Sequence, residues 1–582
     1  MFNSFAWIVI SFFVVIGIVG LISYVKTRGH DLKSSAGYYN GGNSLAGLVI
    51  CASLVMTDLS AEQMVGNNGQ SVFVGMGVWA TQGLFWMGLV VTAIFILPAL
   101  LKEGVITLPQ FFEKRFDKSV RAIIAVVMML SYIVCFLPAA LYAGAQIFVN
   151  LLDLDEVLGV STFTAIVVVI AILLLLGLAF VLSGGLRAVA ISDTVFGAAM
   201  LFLAVLVPIL CFTFLSNTLG GDGSILDGLD KFLTTRPEMM NAWNEWNSNA
   251  PWWPWPVLFT GLFVNVTFFA GANQSIIQRA LGANSLASGQ KGLILAGFAD
   301  FFSPVFLVVP GIVAALAWPT MDFGNGDAVF GMVSQAILPK WILGIFGAII
   351  FGAILSTVNG LFNSIQTMFA IDLYKQYIKK DAADEHYVKV GRRFIIFVAV
   401  FSAFFAPALL VMSGVTTFIA SSLAILNSPI LIILLFGIYS KKASAYAAKV
   451  TMITHIVVYV LLQYLLPMVI PALGAVHFNY WTAILFVIDG LLMIIFSRIK
   501  PRTAKDDEDT VERFYDVDMT PWKYRKHWII ATTAVTVAFY VAFSPLFLGK
   551  SDTTTWKQHL QQQEQTSSTY MVETEESMTA DR

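Results

Sequence analysis

Long apolar stretches separated by short polar connections run along almost the whole chain. A membrane-spanning helix needs about 20 mostly apolar residues. By that measure we count roughly fourteen spans, centred near residues 15, 55, 87, 135, 172, 204, 265, 304, 355, 403, 427, 456, 487 and 538. The pattern predicts an all-α polytopic membrane protein of about fourteen transmembrane helices.

One of these spans is interrupted by polar residues at ICASLVMTDLSAEQMVGNNG, residues 50–69. A charged residue such as Asp58 at the centre of a span costs about 2.5 to 3.5 kcal/mol. Ser60 followed by Gln63 has the form of a capping box, which predicts that one helix ends near Met56 and a second begins near Ser60. A discontinuous helix is typical of secondary transporters. Alternatively, Asp58 marks the end of a span that faces water.

A second polar interruption lies about five spans later, in VNVTFFAGANQSIIQRAL at 264–281. Gly271, Asn273 and Gln274 fall where a continuous helix should run. Two broken spans at corresponding positions of two halves indicate a transporter built from inverted repeats. The alternative for Asn273 and Gln274 is hydrogen bonding between neighbouring helices.

Composition excludes a water-soluble globule, because 58% of the residues are apolar, only 12% are charged and the mean hydropathy is +0.78. Lysine and arginine concentrate in alternate connections, and basic connections stay on the cytoplasmic side. This predicts a multi-pass protein of the cell inner membrane with both termini on the extracellular or periplasmic side. The three cysteines fall inside apolar spans, where cysteine behaves as a small hydrophobe.

An intramembrane enzyme and a channel are the two other classes of membrane protein to consider. GNGD at 324–327 matches a pattern of intramembrane aspartyl proteases, but Asp327 and Asp516 are predicted on opposite sides of the membrane. The simpler interpretation of GNGD is a glycine-rich turn. A channel would need a repeated pore loop or a ring of subunits, and we find no such loop in the sequence. We therefore expect a transporter that is not an enzyme.

Several separated blocks of the chain carry a family resemblance. They are GGNSLAG (41–47), LSAEQMVG (59–66), ITLPQFFEKRFDK (106–118), SGGLRAVAISDTVFG (183–197), NQSIIQRALGANSLASGQKG (273–292), FGAILSTVNGLFNS (351–364) and IDLYKQY (371–377). In this order they resemble the sodium/solute symporter family, and within it the bacterial sodium/sugar cotransporters. The resemblance implies a LeuT-type fold, which has two inverted five-helix repeats and extra terminal helices.

The same resemblance implies a division of the chain into six parts. These are an extra N-terminal helix with its cytoplasmic loop (1–41), the first repeat (42–217), an extracellular loop (218–255), the second repeat (256–438), additional C-terminal helices (439–548) and a flexible polar tail (549–582).

By resemblance, a sodium ion binds where the first broken helix meets the eighth helix of the two repeats. The oxygen atoms that would hold it come from Met56, Leu59, Ala353, Ser356 and Thr357. This is chemically reasonable, because carbonyls and hydroxyls suit a hard cation. The alternative for Ser356 and Thr357 is hydrogen bonding to the carbonyl four residues earlier.

Asp193 matches an aspartate near the sodium region of the family. Its alternative is an interfacial carboxylate paired with Arg187. Relatives that bind a second sodium carry hydroxyl residues three and four positions after the first serine, where this chain has Asn359 and Gly360. The resemblance therefore implies one sodium ion per solute.

The positions that contact sugar in the galactose transporter correspond here to Asp58, Gln63, Gln82, Phe269, Ala270, Asp300 and Ser421. Only Gln63 is kept, so the pocket is polar without being a galactose pocket. We expect sodium-coupled symport of a small polar solute, most simply a sugar, with Asp58 in contact with it. The alternatives are a cationic or zwitterionic amine as solute and, third, a sodium channel. The expected partners are the solute, sodium and the lipid bilayer, with no nucleic acid.

Overall fold

The chain is helical throughout the part that the structure describes. The computed structural model describes residues 4–28, 33–245, 253–411, 415–474, 476–502 and 515–549. These residues form no β-strand, and only isolated bridges join Leu45 to Ala283 and Ser285 to Asp518. The predicted all-α class is confirmed. The predicted polar tail lies outside the described residues except for Gly549.

The described part of the N-terminal half folds into thirteen α-helices. Each span is helical because lipid offers no hydrogen-bond partner, and a helix pairs its backbone N–H and C=O groups internally. Two π-helical turns, Thr92–Ile96 and Tyr132–Phe136, continue α6 into α7 and α9 into α10. The helices are α1 (Ser4–Thr27), α2 (Ser35–Asn40), α3 (Gly47–Asp58), α4 (Ala61–Val74), α5 (Gly77–Gln82), α6 (Phe85–Val91), α7 (Leu97–Glu103), α8 (Leu108–Arg115), α9 (Lys118–Ser131), α10 (Leu137–Leu152), α11 (Leu154–Leu158), α12 (Thr162–Thr218) and α13 (Ile225–Thr234).

The C-terminal half contributes the remaining helices, and a π-helical stretch, Met368–Ile378, extends α21. The helices are α14 (Trp255–Leu258), α15 (Gly261–Gly271), α16 (Gln274–Leu281), α17 (Leu286–Asp300), α18 (Pro304–Leu307), α19 (Val309–Ala317), α20 (Val329–Ile337), α21 (Leu343–Thr367), α22 (Asp384–Phe405), α23 (Val415–Tyr439), α24 (Ala445–Val460), α25 (Pro471–Gly474), α26 (Phe478–Ile499) and α27 (Arg525–Ala542).

The number of spans comes close to the predicted fourteen. By length and composition, ten helical stretches among the described residues could each cross a membrane, and thirteen could if each bent helix pair counts as one span. The fourteenth predicted span falls on α27. That helix has 18 residues and starts Arg-Lys-His, so only its later turns are apolar enough for lipid.

Three spans are bent at short breaks. The pairs α3–α4 and α15–α16 bend by 52° and 48°, which confirms both predicted interruptions. The pair α17 with α18–α19 bends by 41°, and this third break was not predicted. It lies just before Pro304, whose ring cannot continue a helix through the preceding turn.

The spans predicted near residues 172 and 204 form the two arms of α12, which is kinked at Gly185. This glycine has φ +57°, and a Cβ atom there would collide with the Tyr38 carbonyl. Only glycine tolerates both the left-handed backbone and the close approach.

Helix α21 lies at the centre of the bundle and is almost completely buried. It packs against α1, α3, α10 and α12. By contrast, α24 and α26 expose much of their apolar surface, as expected for helices that face lipid. The central position of α21 brings its Ser356 and Thr357 against the end of α3, next to the first break. The predicted limits of the two repeats stay a prediction.

Candidate functional site

The break between α3 and α4 takes two residues, Leu59 and Ser60, out of helical geometry. The Ser60 N–H donates to the Asp58 carbonyl at 2.6 Å instead of continuing the helical pattern to the carbonyl of Met56. The break therefore frees backbone oxygen from the helix ladder inside the bundle, where an ion can use it.

The predicted capping box at this break is wrong. Ser60 is the residue before the first turn of α4, but its side chain makes no capping hydrogen bond. Gln63 is engaged elsewhere, because its Oε1 accepts from Asn67 Nδ2 at 2.7 Å. Also, α3 continues to Asp58, two residues beyond the predicted end near Met56.

The five predicted sodium ligands are all buried and lie on elements that pack together. On α21, the Ser356 hydroxyl is 3.0 Å from that of Thr57. The Thr357 hydroxyl is 3.3 Å from the Thr57 carbonyl and 3.4 Å from the carbonyl four residues earlier. The hydroxyls of α21 thus face the end of α3. The five predicted sodium ligands, all buried, are Met56, Leu59, Ala353, Ser356 and Thr357.

Asp193 lies on the second arm of α12 and is fully buried. Its carboxylate accepts from the Ser53 hydroxyl at 2.5 Å and is 3.9 Å from the guanidinium of Arg279. Arg187 instead donates to Ser44 at 2.5 Å. The alternative of an interfacial Asp193–Arg187 pair is therefore wrong, and the true cationic neighbour was not predicted.

A cavity opens beside the break and borders the sodium region. Thr57 and Thr357 belong to both the cavity wall and the sodium region. The cavity is lined by Thr57, Asp58, Ser60, Glu62, Gln63, Asn67, Gln70, Thr81, Gln82, Phe85, Phe136, Trp253, Leu262, Asn265, Val266, Phe269, Ser275, Thr357, Leu361, Ile419, Leu423, Asn427 and Phe478.

Four of the predicted solute contacts, Asp58, Gln63, Gln82 and Phe269, line this cavity. Ala270 is fully buried outside it, because adjacent residues of a helix point in directions about 100° apart. The side chain of Ser421 lies outside the described part of the structure.

Asp300 does not line the cavity but lies directly behind Asp58. The carboxyl groups of Asp58 and Asp300 are close neighbours. Asp58 accepts from Gln82 Nε2 at 3.2 Å, and Asp300 accepts from the Ser303 hydroxyl at 3.2 Å.

Several lining residues were not predicted, although part of the signal is present in the sequence. Gln63, Asn67 and Gln70 follow the i, i+4, i+7 spacing of one helix face and line the cavity together. Asn265 accepts from Asn427 at 2.9 Å and donates to Asn479 at 2.6 Å, which ties α15 to α23 and α26. These long-range pairs have no local sequence signal.

The second break, between α15 and α16, is closed by hydrogen bonds. Asn273 Oδ1 accepts from the Tyr132 hydroxyl at 2.6 Å and from the Ser275 N–H at 3.0 Å. Gln274 Oε1 accepts from the Leu108 N–H at 2.8 Å. The alternative of bonding between helices is thus correct for both residues.

The cavity is acidic. Asp58 and Glu62 line it, and none of the described lining residues is a lysine, arginine or histidine. Five aromatic side chains line the cavity as well, namely Phe85, Phe136, Trp253, Phe269 and Phe478.

A cavity lined by polar and aromatic side chains at a helix break within a polytopic bundle is typical of a secondary transporter. The chain belongs to the sodium:solute symporter family, whose model matches residues 38–455. It is therefore a multi-pass membrane protein that couples solute transport to sodium, and it is not an enzyme, as predicted.

Individual relatives agree with this assignment. The chain is 35% identical to an uncharacterized symporter of Escherichia coli, YidK, over 87% of this chain and 86% of the relative. It is 27% identical to the sodium/glucose cotransporter of Vibrio parahaemolyticus over 82% of this chain and 86% of the relative. A solved Na+-coupled sialic acid symporter superposes with a TM-score of 0.70 at 20% identity, covering 85% of this chain and 99% of its own. The predicted LeuT-type fold is confirmed.

Proposed function

We propose that the protein carries an uncharged sugar or sugar-like carbohydrate together with sodium by alternating access. The observation that carries this proposal is the cavity at the α3–α4 break, which combines amide, carboxylate and aromatic side chains and contains no basic residue among those described. Similarity to the sodium/glucose cotransporter supports a carbohydrate.

On the sodium side, the ion is held by carbonyl oxygens of Met56, Leu59 and Ala353 and by two hydroxyls. The contact of Ser356 and Thr357 with Thr57 supports this assignment, because it brings the hydroxyls to the broken end of α3. Asp193 lies behind these ligands and supplies negative charge without lining the cavity.

On the solute side, side-chain amides offer both donors and acceptors to hydroxyl groups. Asp58 accepts from solute hydroxyls, with Gln63 and Gln82 beside it, and Asp300 supports Asp58 from behind. The rings of Phe85 and Phe269, whose centroids are 5.6 Å apart, form an apolar wall for the C–H face of a sugar. Thr357 reaches both sites, so the ion and the solute are neighbours.

A cationic or zwitterionic amine is the second candidate solute. Asp58 and Glu62 would pair with its nitrogen, and the aromatic rings would favour a cation. A solute with a carboxylate and no amine finds no cationic partner among the described lining residues.

Uptake of glucose, glucosamine and glucuronate into proteoliposomes tests these alternatives. The three solutes have the same sugar ring but are neutral, cationic and anionic, respectively. We expect sodium-dependent, saturable uptake of the neutral sugar. The apparent affinity for glucuronate should be at least about tenfold lower, which corresponds to about 1.4 kcal/mol. Uptake of amines without sugars would favour the second candidate. Sodium-independent, non-saturating flux would contradict symport.

For the topology, we propose the cell inner membrane with both termini on the periplasmic side and with the two repeats at 42–217 and 256–438. The alternation of basic connections supports this orientation. Labelling of single cysteines placed in the basic connection at 379–393 and in the acidic one at 153–156 tests it. Periplasmic labelling of the first connection would contradict the proposal.

A further inference from the structure

Three hydrogen-bonded side-chain amides reach the cavity from α15, α23 and α26, and the proposed function does not use them. Asn427 Nδ2 donates to Asn265 Oδ1 at 2.9 Å, and Asn265 Nδ2 donates to Asn479 Oδ1 at 2.6 Å. We call Asn427, Asn265 and Asn479 the amide row. Asn427 and Asn265 line the cavity, whereas Asn479 does not. The amide row therefore has one end at the cavity wall and the other end outside it.

The cavity end of the amide row has an unpaired polar atom. Asn427 is only 4% exposed, and its Oδ1 atom has no hydrogen-bond partner among the residues that the structure describes. A buried polar atom without a partner is costly, because it has given up its hydrogen bonds to water. Asn427 thus offers a ligand in the cavity one hydrogen bond that the chain itself leaves unmade.

The direction of the amide row does not change this conclusion. If all three amides are turned over, Asn479 donates to Asn265, Asn265 donates to Asn427, and the Nδ2 atom of Asn427 is left over instead. A hydroxyl group fits both directions, because it can donate to the oxygen or accept from the NH2 group. An ammonium group can only donate, and a carboxylate can only accept. The amide row is therefore best matched by a hydroxyl.

The amide row also lies close to the apolar wall of the proposed sugar site. On α15, Asn265 is one helical turn, about 6 Å along the axis, from Phe269. The ring of Phe269 packs against that of Phe85, and all three side chains line the cavity. A sugar ring lying on Phe269 would thus have the amides of Asn265 and Asn427 within reach of its hydroxyl groups.

We propose that Asn427 is a solute-binding residue that makes a hydrogen bond with one hydroxyl group of the solute, and that Asn265 and Asn479 position it. This rests on the proposed function and deepens it, because it specifies a hydroxyl on the solute at this part of the wall. The contact links the bound solute to α23 and, through the amide row, to α15 and α26.

The test compares the affinities of the purified protein for glucose and for the deoxyglucoses that lack the hydroxyl at carbon 2, 3, 4 or 6. Competition with radiolabelled glucose at saturating sodium gives each affinity. In the wild type, loss of the hydroxyl that meets Asn427 should weaken binding at least about fivefold. Asn427→Leu removes the amide at similar volume and should weaken glucose binding by a similar factor. It should then bind that deoxyglucose as well as glucose, within about twofold.

Asn479→Leu is the matched control, because it makes the same replacement at the end of the amide row that lies outside the cavity. Each variant breaks one amide–amide hydrogen bond, so thermal unfolding in detergent should show similar losses of stability. Asn479→Leu should nevertheless discriminate among the deoxyglucoses as the wild type does. A purely structural role of Asn427 would give both variants the same binding profile.

Three results would overturn the inference and leave the proposed function intact. They are a wild type that binds every deoxyglucose as tightly as glucose, an Asn427→Leu variant that discriminates among them as the wild type does, and an Asn479→Leu variant that loses discrimination as fully as Asn427→Leu. If Asn427→Leu does not fold or binds too little glucose to measure, Asn427→Ala takes its place and is judged by the same results. Absence of sodium-dependent glucose uptake by the wild type would overturn the proposed function itself, and the inference with it.

Discussion

The α3–α4 and α15–α16 breaks bend their spans by nearly the same angle, 52° and 48°, yet they do different things. At the first break, Asp58 and Gln63 face a cavity, and the Ser60 side chain makes no capping bond. At the second, Asn273 and Gln274 are occupied by partners on other helices.

The difference is one of side-chain partners rather than of backbone shape. A broken helix exposes N–H and C=O groups in both cases. At the second break, Asn273 caps α16 and binds Tyr132, which fixes the half-helix to its neighbour. At the first, Asp58 and Gln63 accept from Gln82 and Asn67, which line the same cavity, so that all four polar side chains face the space where a ligand would bind. A helix break is therefore a binding site only where its own chain leaves it open.

The largest effect on transport is expected from substitutions where α21 packs against the first break. We expect Ser356→Ala/Thr357→Ala to abolish sodium-stimulated uptake, because two hydroxyl ligands are lost together. Matched controls are Thr213→Ala and Thr533→Ala, whose exposed hydroxyls donate to the carbonyl four residues earlier. An unchanged sodium half-saturation in the double variant would contradict the assigned site.

The next largest effect is expected for Asp58→Asn. It should weaken solute binding by about tenfold or more, the equivalent of about 1.4 kcal/mol, while sodium half-saturation changes less. Asparagine can still accept from Gln82 and occupies almost the same volume, so the fold should persist. Solute affinity at the wild-type level would leave Asp58 with a structural role only and make the two breaks alike.

At the second break, the expected effect is on stability. Asn273→Ala removes the acceptor for Tyr132 and Ser275 and should lower the free energy of unfolding by about 1 to 3 kcal/mol. Thermal unfolding in detergent measures this loss, and Asn273→Asp, which keeps the acceptor, is the control. A large loss of solute affinity at unchanged stability would mean that this break also binds solute.

The smallest effect is expected for Asp300→Asn, about threefold on solute affinity, well below one tenfold step of 1.4 kcal/mol. Asp300 contacts Asp58 rather than the cavity, so it acts only by positioning that carboxyl. Solute-binding assays on Asp58→Asn and Asp300→Asn show which of the two residues contributes more to solute affinity. A larger effect from Asp300→Asn than from Asp58→Asn would reverse their assigned roles.

Much of the architecture follows from local sequence. Apolar runs predict the spans, and polar residues within them predict the two breaks, because both signals act over a few neighbouring residues. The bend before Pro304 was missed although the proline is visible, since many spans continue past a proline.

The site was harder to predict than the spans. The i, i+4, i+7 amides of α4 can be found from spacing alone. The pairing of Asp193 with Arg279 cannot, because the two residues are 86 positions apart and meet only after α12 and α16 pack. Likewise, Trp253 and Phe478 reach the cavity from distant segments. Long-range packing, not local pattern, decides these contacts.

The central claim is that sodium and solute bind as neighbours at the α3–α4 break. The direct test is the sodium half-saturation of the purified wild-type protein, measured with and without saturating solute, beside the solute dissociation constant with and without saturating sodium. The ratio of the sodium half-saturations without and with solute must equal the ratio of the solute dissociation constants without and with sodium, because binding linkage is reciprocal. For neighbouring sites we expect this ratio to be at least about fivefold. Ratios of one, with the two ligands binding independently, would contradict a shared site.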